Sequence, residues 1–241
     1  MISKNQAKLI RSLQLKKNRD LLSLFVAEGK RCIEELEGSF TPVFRADEGE
    51  LSDAERKQLS SMTTPQAQIA VFKKREMSLP TVDHIARELT LVLDDIQDPG
   101  NLGTIIRTAD WFGIKHIVCS PHTADCYGPK VVQATMGALA RVDISYTPLP
   151  EFIRSVRQQL PSLPVYGTLL EGEDIYAKRL SDAGLIVMGN EGNGISKEVR
   201  ELLTRPLFIP PYPADAHTIE SLNVGIATAV TLSIFRRPKT E

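Results

Sequence analysis

The residue types in this chain that suit chemistry gather in two loops. The first, Asp94-Asp-Ile-Gln-Asp-Pro-Gly-Asn101, leads into a helix carrying Arg107. Asn101 is placed to cap that helix, because its side-chain oxygen can accept from an otherwise unpaired backbone N–H one turn in. Arg107 falls two positions after Ile105, which turns it away from the apolar stripe of Ile105, Ile106, Ala109 and Phe112. The second loop, Gly189-Asn-Glu-Gly-Asn-Gly-Ile-Ser196, approaches the phosphate-cradling pattern G-x-x-x-x-G-K-[ST], with Ile195 where the lysine belongs. Without that cation a nucleotide's β- and γ-phosphates lose their main charge partner, so an NTPase is not expected. What remains is a glycine loop whose backbone can approach a ligand closely, or a ligand-free tight turn. His116, Cys119, His122 and Cys126 offer zinc-ligand types, but their spacing fits no tetrahedral site and Cys119 belongs to an apolar strand. No metal is expected. Trp111 and the scattered tyrosines read as packing residues.

Both loops follow short apolar runs, Leu89–Leu93 and Leu185–Met188, of the kind buried on both faces of a parallel sheet. His116–Ser120, Val142–Tyr146, Val165–Leu170 and Leu207–Ile209 are further strands. Helices are expected from Asn101 to Gly113, over 130–139, 151–160 and 197–203, and from Ser221 through Phe235. Strands alternating with helices predict an α/β fold with a mostly parallel sheet, whose polar loops lie where such sheets bind ligands. The last helix is poor in charge (Gly225, Ile226, Ala227, Ala229, Val230, Leu232) and so is expected to be buried on most sides. Upstream, a broken helix from Ser3 to Leu24, strands at 25–27, 43–44 and 69–72, and helices at 31–36 and 53–60 predict a small α/β module. Residues 78–88 read as a linker. We therefore divide the chain at 1–78 and 79–241.

Bulk composition limits the class. The 241 residues are 42% apolar and 24% charged, as in ordinary soluble globular chains. No run approaches the roughly 18–20 apolar residues of a membrane span. Met1-Ile-Ser-Lys-Asn-Gln lacks a secretion signal's apolar core, and three cysteines make no disulfide framework, so a cytoplasmic location is expected. The net charge of −1 conceals an asymmetry. Residues 1–31 carry Lys4, Lys8, Arg11, Lys16, Lys17, Arg19, Lys30 and Arg31 against Asp20 and Glu28 alone. A basic arm on a neutral chain suits local contact with a polyanion, or a solvated helix face.

Three segments in order resemble the signature motifs of the SpoU/TrmH family of S-adenosylmethionine-dependent RNA ribose 2′-O-methyltransferases. They are Asp98-Pro-Gly-Asn-Leu-Gly-Thr-Ile-Ile-Arg-Thr-Ala-Asp110, Ile186-Val-Met-Gly-Asn-Glu-Gly-Asn-Gly-Ile-Ser196, and Ile209-Pro followed by Glu220-Ser-Leu-Asn-Val-Gly-Ile-Ala227. Tyr127–Ala138 resembles the family's intervening helix, and residues 1–76, with Phe25-Val-Ala-Glu-Gly-Lys-Arg31, resemble the L30e-like substrate-binding domain that often precedes the catalytic one. The resemblance implies a C-terminal trefoil knot, a homodimer, S-adenosylmethionine as cofactor and RNA as partner, with rRNA favoured over tRNA and no membrane. It implies catalytic roles for Asn101, Arg107, Glu191, Ser221 and Asn223. It implies cofactor contacts from Thr168, Leu169, Gly189, Asn190, Glu191, Gly192, Ile209, Pro210, Ser221 and Leu222. The family makes Arg107 a base, or the group that recruits one through a phosphate. Guanidinium groups titrate above about 12, so clamping a phosphate or steadying the developing oxyanion is the easier role. Glu191 would orient Arg107 or Asn101, or hold the glycine loop. Ser221 is also placed to cap the last helix.

One segment departs from the family pattern: Pro211–Ile219 is longer and stiffened by proline, which leaves His217 unplaced. Two other readings stay open, a non-catalytic RNA-binding protein of the same fold and a base-modifying relative. Removing residues 1–76 should abolish RNA affinity and spare cofactor binding.

Overall fold

The structure is a computed structural model that describes residues 2–213 and 221–237. The chain begins with α1 (Lys4–Ser12), α2 (Lys16–Leu22), β1 (Leu24–Glu28), α3 (Lys30–Glu37), β2 (Pro42–Ala46), α4 (Asp53–Leu59) and β3 (Ile69–Lys73). These strands form an antiparallel sheet in the order β1-β3-β2. α5 (Val82–Arg87) follows, within the stretch read as a linker. Thr81 caps it by accepting from the His84 N–H, and Ile85 anchors it in the core.

The second sheet contains β4 (Leu89–Leu93), β5 (His116–Cys119), β6 (Asp143–Tyr146), β7 (Val165–Asp174), β8 (Gly184–Met188) and β9 (Arg205–Phe208). All its pairings are parallel, in the order β6-β5-β4-β8-β7-β9. Alternation along the strands divides the core between two faces. Leu91, Leu93, Ile117, Ile186 and Met188 pack beneath α6 (Pro99–Trp111), α7 (Pro129–Thr135) and α10 (Val224–Phe235). Val92, Val118, Leu185 and Val187 pack beneath α5, α8 (Leu149–Gln159) and α9 (Lys197–Arg200). Helices on both faces are what a parallel sheet requires. α6 and α7 touch at backbone distance, since a Cβ on Gly103 would lie 2.3 Å from that of Ala134.

Several elements end differently from the sequence expectation. The helix expected over 130–139 stops at Thr135, because Met136 (φ 52°) and Gly137 (φ 91°) both turn left-handed. β7 runs on to Asp174 through a register shift against β9, past the Leu170 at which the strand was expected to end.

The two sheets share a core. Phe25 and Phe72 lie in the same buried cluster as Tyr127 and Val131, and the Phe25 and Tyr127 rings stand 4.8 Å apart. Arg19, expected among solvated cations, is 4% exposed. Its guanidinium donates to Asp125 Oδ2 at 3.0 and 2.7 Å and to the Leu13 and Gln14 carbonyls at 2.8 and 2.9 Å. Burying that cation is tolerable only because these acceptors replace water.

Candidate functional site

In a wholly parallel sheet every carboxyl end lies on one edge, the edge where such sheets bind ligands. The loops after β4, β8 and β9, with the middle of β7, converge there. The loop after β4 is fixed by its two leading aspartates. Asp94 is buried; its Oδ2 accepts the Ser196 N–H at 2.8 Å and its own N–H donates to the Met188 carbonyl. Asp95 takes a left-handed turn (φ 61°), which its short polar side chain tolerates. The Asp95 carbonyl accepts from Asn190 Nδ2 at 2.7 Å. Asn190 Oδ1 in turn accepts the N–H groups of Gly192 and Asn193 at 2.9 and 3.0 Å, so Asn190 shapes the glycine loop from within. At Gly189 a Cβ would stand 2.3 Å from backbone atoms of Gly194 and Ile195, so only glycine fits.

Asp98, rather than Asn101, caps α6: its Oδ1 accepts the Asn101 N–H at 2.8 Å. Pro99 fills the first helical position, where no N–H is needed. Asn101 therefore sits inside the first turn with its side chain free for other partners. Its Nδ2 donates to Glu191 Oε1 at 2.8 Å, and its Oδ1 accepts from Asn223 Nδ2 at 2.9 Å. Asn223, rather than Ser221, caps α10, its Oδ1 accepting the N–H groups of Gly225 and Ile226. The relay Glu191–Asn101–Asn223 thus ties together the three segments singled out in the sequence. Around it, Thr168 and Leu169 in the middle of β7 and Ile209 and Pro210 just past β9 are half-buried, Thr168 Oγ1 donates to the Met188 sulfur at 3.6 Å, and Ser221 and Leu222 are exposed.

Residues 88–233 match the family model described as the SpoU rRNA Methylase family. The chain belongs to this family. The 23S rRNA (guanosine(2553)-2′-O)-methyltransferase RlmP of Bacillus subtilis is 32% identical, with 95% of each chain covered. A TrmH-family protein from Porphyromonas gingivalis superposes with a TM-score of 0.88 at 38% identity, covering 98% of this chain and 99% of its own. An AdoMet-bound rRNA methyltransferase from Sinorhizobium meliloti superposes at 0.84 with 29% identity, covering 100% and 97%. The six-stranded parallel α/β architecture is thus the one these family members share.

Not every expected site residue joins the relay. Arg107 is exposed on the outer face of α6 and makes no hydrogen bond or ion pair among the described residues. Trp111, one turn further along that face, is 84% exposed, so it is not the packing residue expected. His217 lies outside the described residues. Cys119 and Cys126 are buried thiols, and burial pushes Cys126 up to about 12. Asp94, Asp95 and the loop-shaping role of Asn190 were missed by sequence reasoning. Their signal was an aspartate pair at the end of a fully buried strand, where a carboxylate persists only if backbone donors meet it.

Proposed function

We propose that this chain transfers a methyl group from S-adenosylmethionine to a ribose 2′-hydroxyl in rRNA, the activity for which its B. subtilis relative is named. The observation that carries the reading is the Glu191–Asn101–Asn223 relay, which links three loops distant in sequence at the ligand-binding edge of the sheet. The setting fits the donor. Backbone groups at Thr168–Leu169, Gly189–Gly192 and Ile209–Pro210, with the exposed Leu222 side chain, offer hydrogen-bonding edges and an apolar surface suited to an adenosyl group. When bound, the donor supplies an electrophilic methyl on a sulfonium.

The chain's own residues prepare the hydroxyl. Asn101 is held in one orientation by a donor on one side and an acceptor on the other, so its remaining amide hydrogen is fixed in direction. Glu191 sets that orientation. Arg107 clamps an RNA phosphate or the developing oxyanion with its forked donors. Ser221 and Asn223 close the site beside the donor.

The reading includes the trefoil knot, the 1–78 and 79–241 division, and a homodimer in which Arg107 completes the partner subunit's site. Support for the dimer comes from one surface: unpaired Arg107 and exposed Trp111 share a face of α6, and exposed Ile226 lies on α10 packed against it. Mass spectrometry of nuclease-digested rRNA, after incubation with labelled donor, tests the chemistry. A 2′-O-methylated nucleoside is the expected product; a methylated base or no product overturns it. Co-expression of Arg107→Ala with Glu191→Ala tests the shared site. Statistical pairing under two-fold symmetry should restore roughly a quarter of the sites; no recovery overturns the composite site.

A further inference from the structure

A cleft of about 300 Å³ runs along the seam between the two sheets, lined by Gln14, Ser61, Pro99, Ala124, Gly128 and Lys130. Its base is the buried Arg19–Asp125 pair, so its walls are rigidly joined. Pro99 opens α6 two residues before Asn101, so the cleft reaches the N-terminus of the helix that carries the central relay residue. The Oγ of Ser61, on the opposite wall, is buried with no hydrogen-bond partner.

Arg19 and Asp125 pair with each other, which leaves Lys130 as the unpaired charge of the lining. Lys130 is exposed and forms no ion pair among the described residues. It occupies the second position of α7, where the helix dipole disfavours a cation. Lys4 opens α1, Lys16 and Lys17 open α2, and Lys30 and Arg31 open α3, with no acid in any of these first turns. By contrast α4, α5 and α8 carry acidic residues and no cation in the first positions of the helix, as the dipole favours, while α9 opens on Lys197 followed by Glu198. Lys4, Lys8 and Arg11 recur at i, i+4 and i+7 along the exposed face of α1. Apart from Lys197, the cations set against local helix preference thus lie on the N-terminal module and on the cleft.

We propose that this seam cleft seats one RNA nucleotide flanking the target ribose, with Lys130 on its phosphate and the α1 cations on the strand beyond. The inference rests on the reading of the relay as a ribose-methylating site. A volume of about 300 Å³ is at the lower end of the small-ligand range, which suits a single nucleotide. The exposed lysine ammonium gives it a cation, matched to a phosphate.

The test titrates in-vitro-transcribed 23S rRNA with the wild-type, Lys130→Glu and Arg154→Glu chains at several salt concentrations, with donor binding followed by calorimetry. Arg154 is an exposed cation on α8, across the large sheet, and controls for net charge. A glutamate at the start of α7 agrees with the dipole, so the variant should fold. Lys130→Glu should weaken RNA binding at least tenfold and flatten the salt slope by about one unit. Arg154→Glu and donor affinity should change little. An unchanged RNA affinity and slope for Lys130→Glu, or an equal loss for Arg154→Glu, overturns the cleft. A wild-type chain that binds the transcript and leaves its riboses unmethylated overturns the reading of the relay instead.

Discussion

The amide nitrogen of Asn101 donates to Glu191 Oε1 at 2.8 Å, across ninety residues of sequence. The bond needs a donor on Asn101 and an acceptor on Glu191. Asn101→Asp keeps the size and removes the donor, setting two carboxylates against each other. The substitution lies in the first turn of α6, where a negative charge suits the helix. Melting temperature should hold or rise slightly, while the initial rate of methyl transfer to rRNA falls by about 100-fold or more. Calorimetric donor affinity should stay within about threefold. A variant that methylates at the wild-type rate would remove the relay from the mechanism.

The glycine loop offers a paired comparison. A methyl at Gly189 would strike the Gly194 and Ile195 backbone at 2.3 Å, while one at Gly192 meets only Asn190 Oδ1 at 3.6 Å. Backbone cannot yield as a side-chain end can, so Gly189→Ala must deform the loop, at roughly 1–3 kcal/mol. We expect Gly189→Ala to lower donor affinity at least about tenfold and Gly192→Ala to leave it within about threefold, both by calorimetry. Equal behaviour would mean that loop shape does not govern donor binding.

The parallel sheet was legible in the sequence because Leu89–Leu93 and Leu185–Met188 are apolar without alternation, a pattern that places strands between two helical layers. The motif residues were legible through resemblance. Their partners were not. Asn101 reads as a cap, and only the fold shows Asp98 taking that role and freeing the Asn101 side chain. The same exchange occurs at α10, where Asn223 caps in place of Ser221. A cap is decided by a shift of two or three residues, within the uncertainty of reading a helix boundary from pattern. Arg19 was hidden for a different reason: its acceptors are a carboxylate 106 residues away and two main-chain carbonyls, neither of which leaves a local signature.

Arg19 also revises the expectation for a chain lacking residues 1–76. Phe25 covers Tyr127 and Arg19 neutralises Asp125, so truncation would strip an apolar surface and leave a carboxylate unpaired. The milder probe is Asp125→Ala. Removing one partner of a buried pair costs about 3–5 kcal/mol. Asp20→Ala, which breaks the half-exposed contacts to Lys16 and Lys74, should cost about 1 kcal/mol or less. Urea unfolding separates the two; similar midpoints would show that the seam does not hold the modules together.

His116 gives the fold a pH dependence of definite sign. Its imidazole lies half-buried against His84, ring centroids 4.3 Å apart, and burial first, then the His84 charge, push its pKa below the ordinary histidine value, with Asp143 opposing. A depressed pKa means that the folded chain binds this proton less readily than the unfolded chain. Above about pH 6.5 both states are neutral at this position and it contributes nothing. As pH falls through that value the unfolded chain takes up the proton first, so stability declines until the folded pKa is passed. The urea midpoint should therefore drop between pH 7.5 and pH 5, and His116→Gln should reduce that drop. An identical pH profile for the variant would place the acid sensitivity elsewhere in the fold.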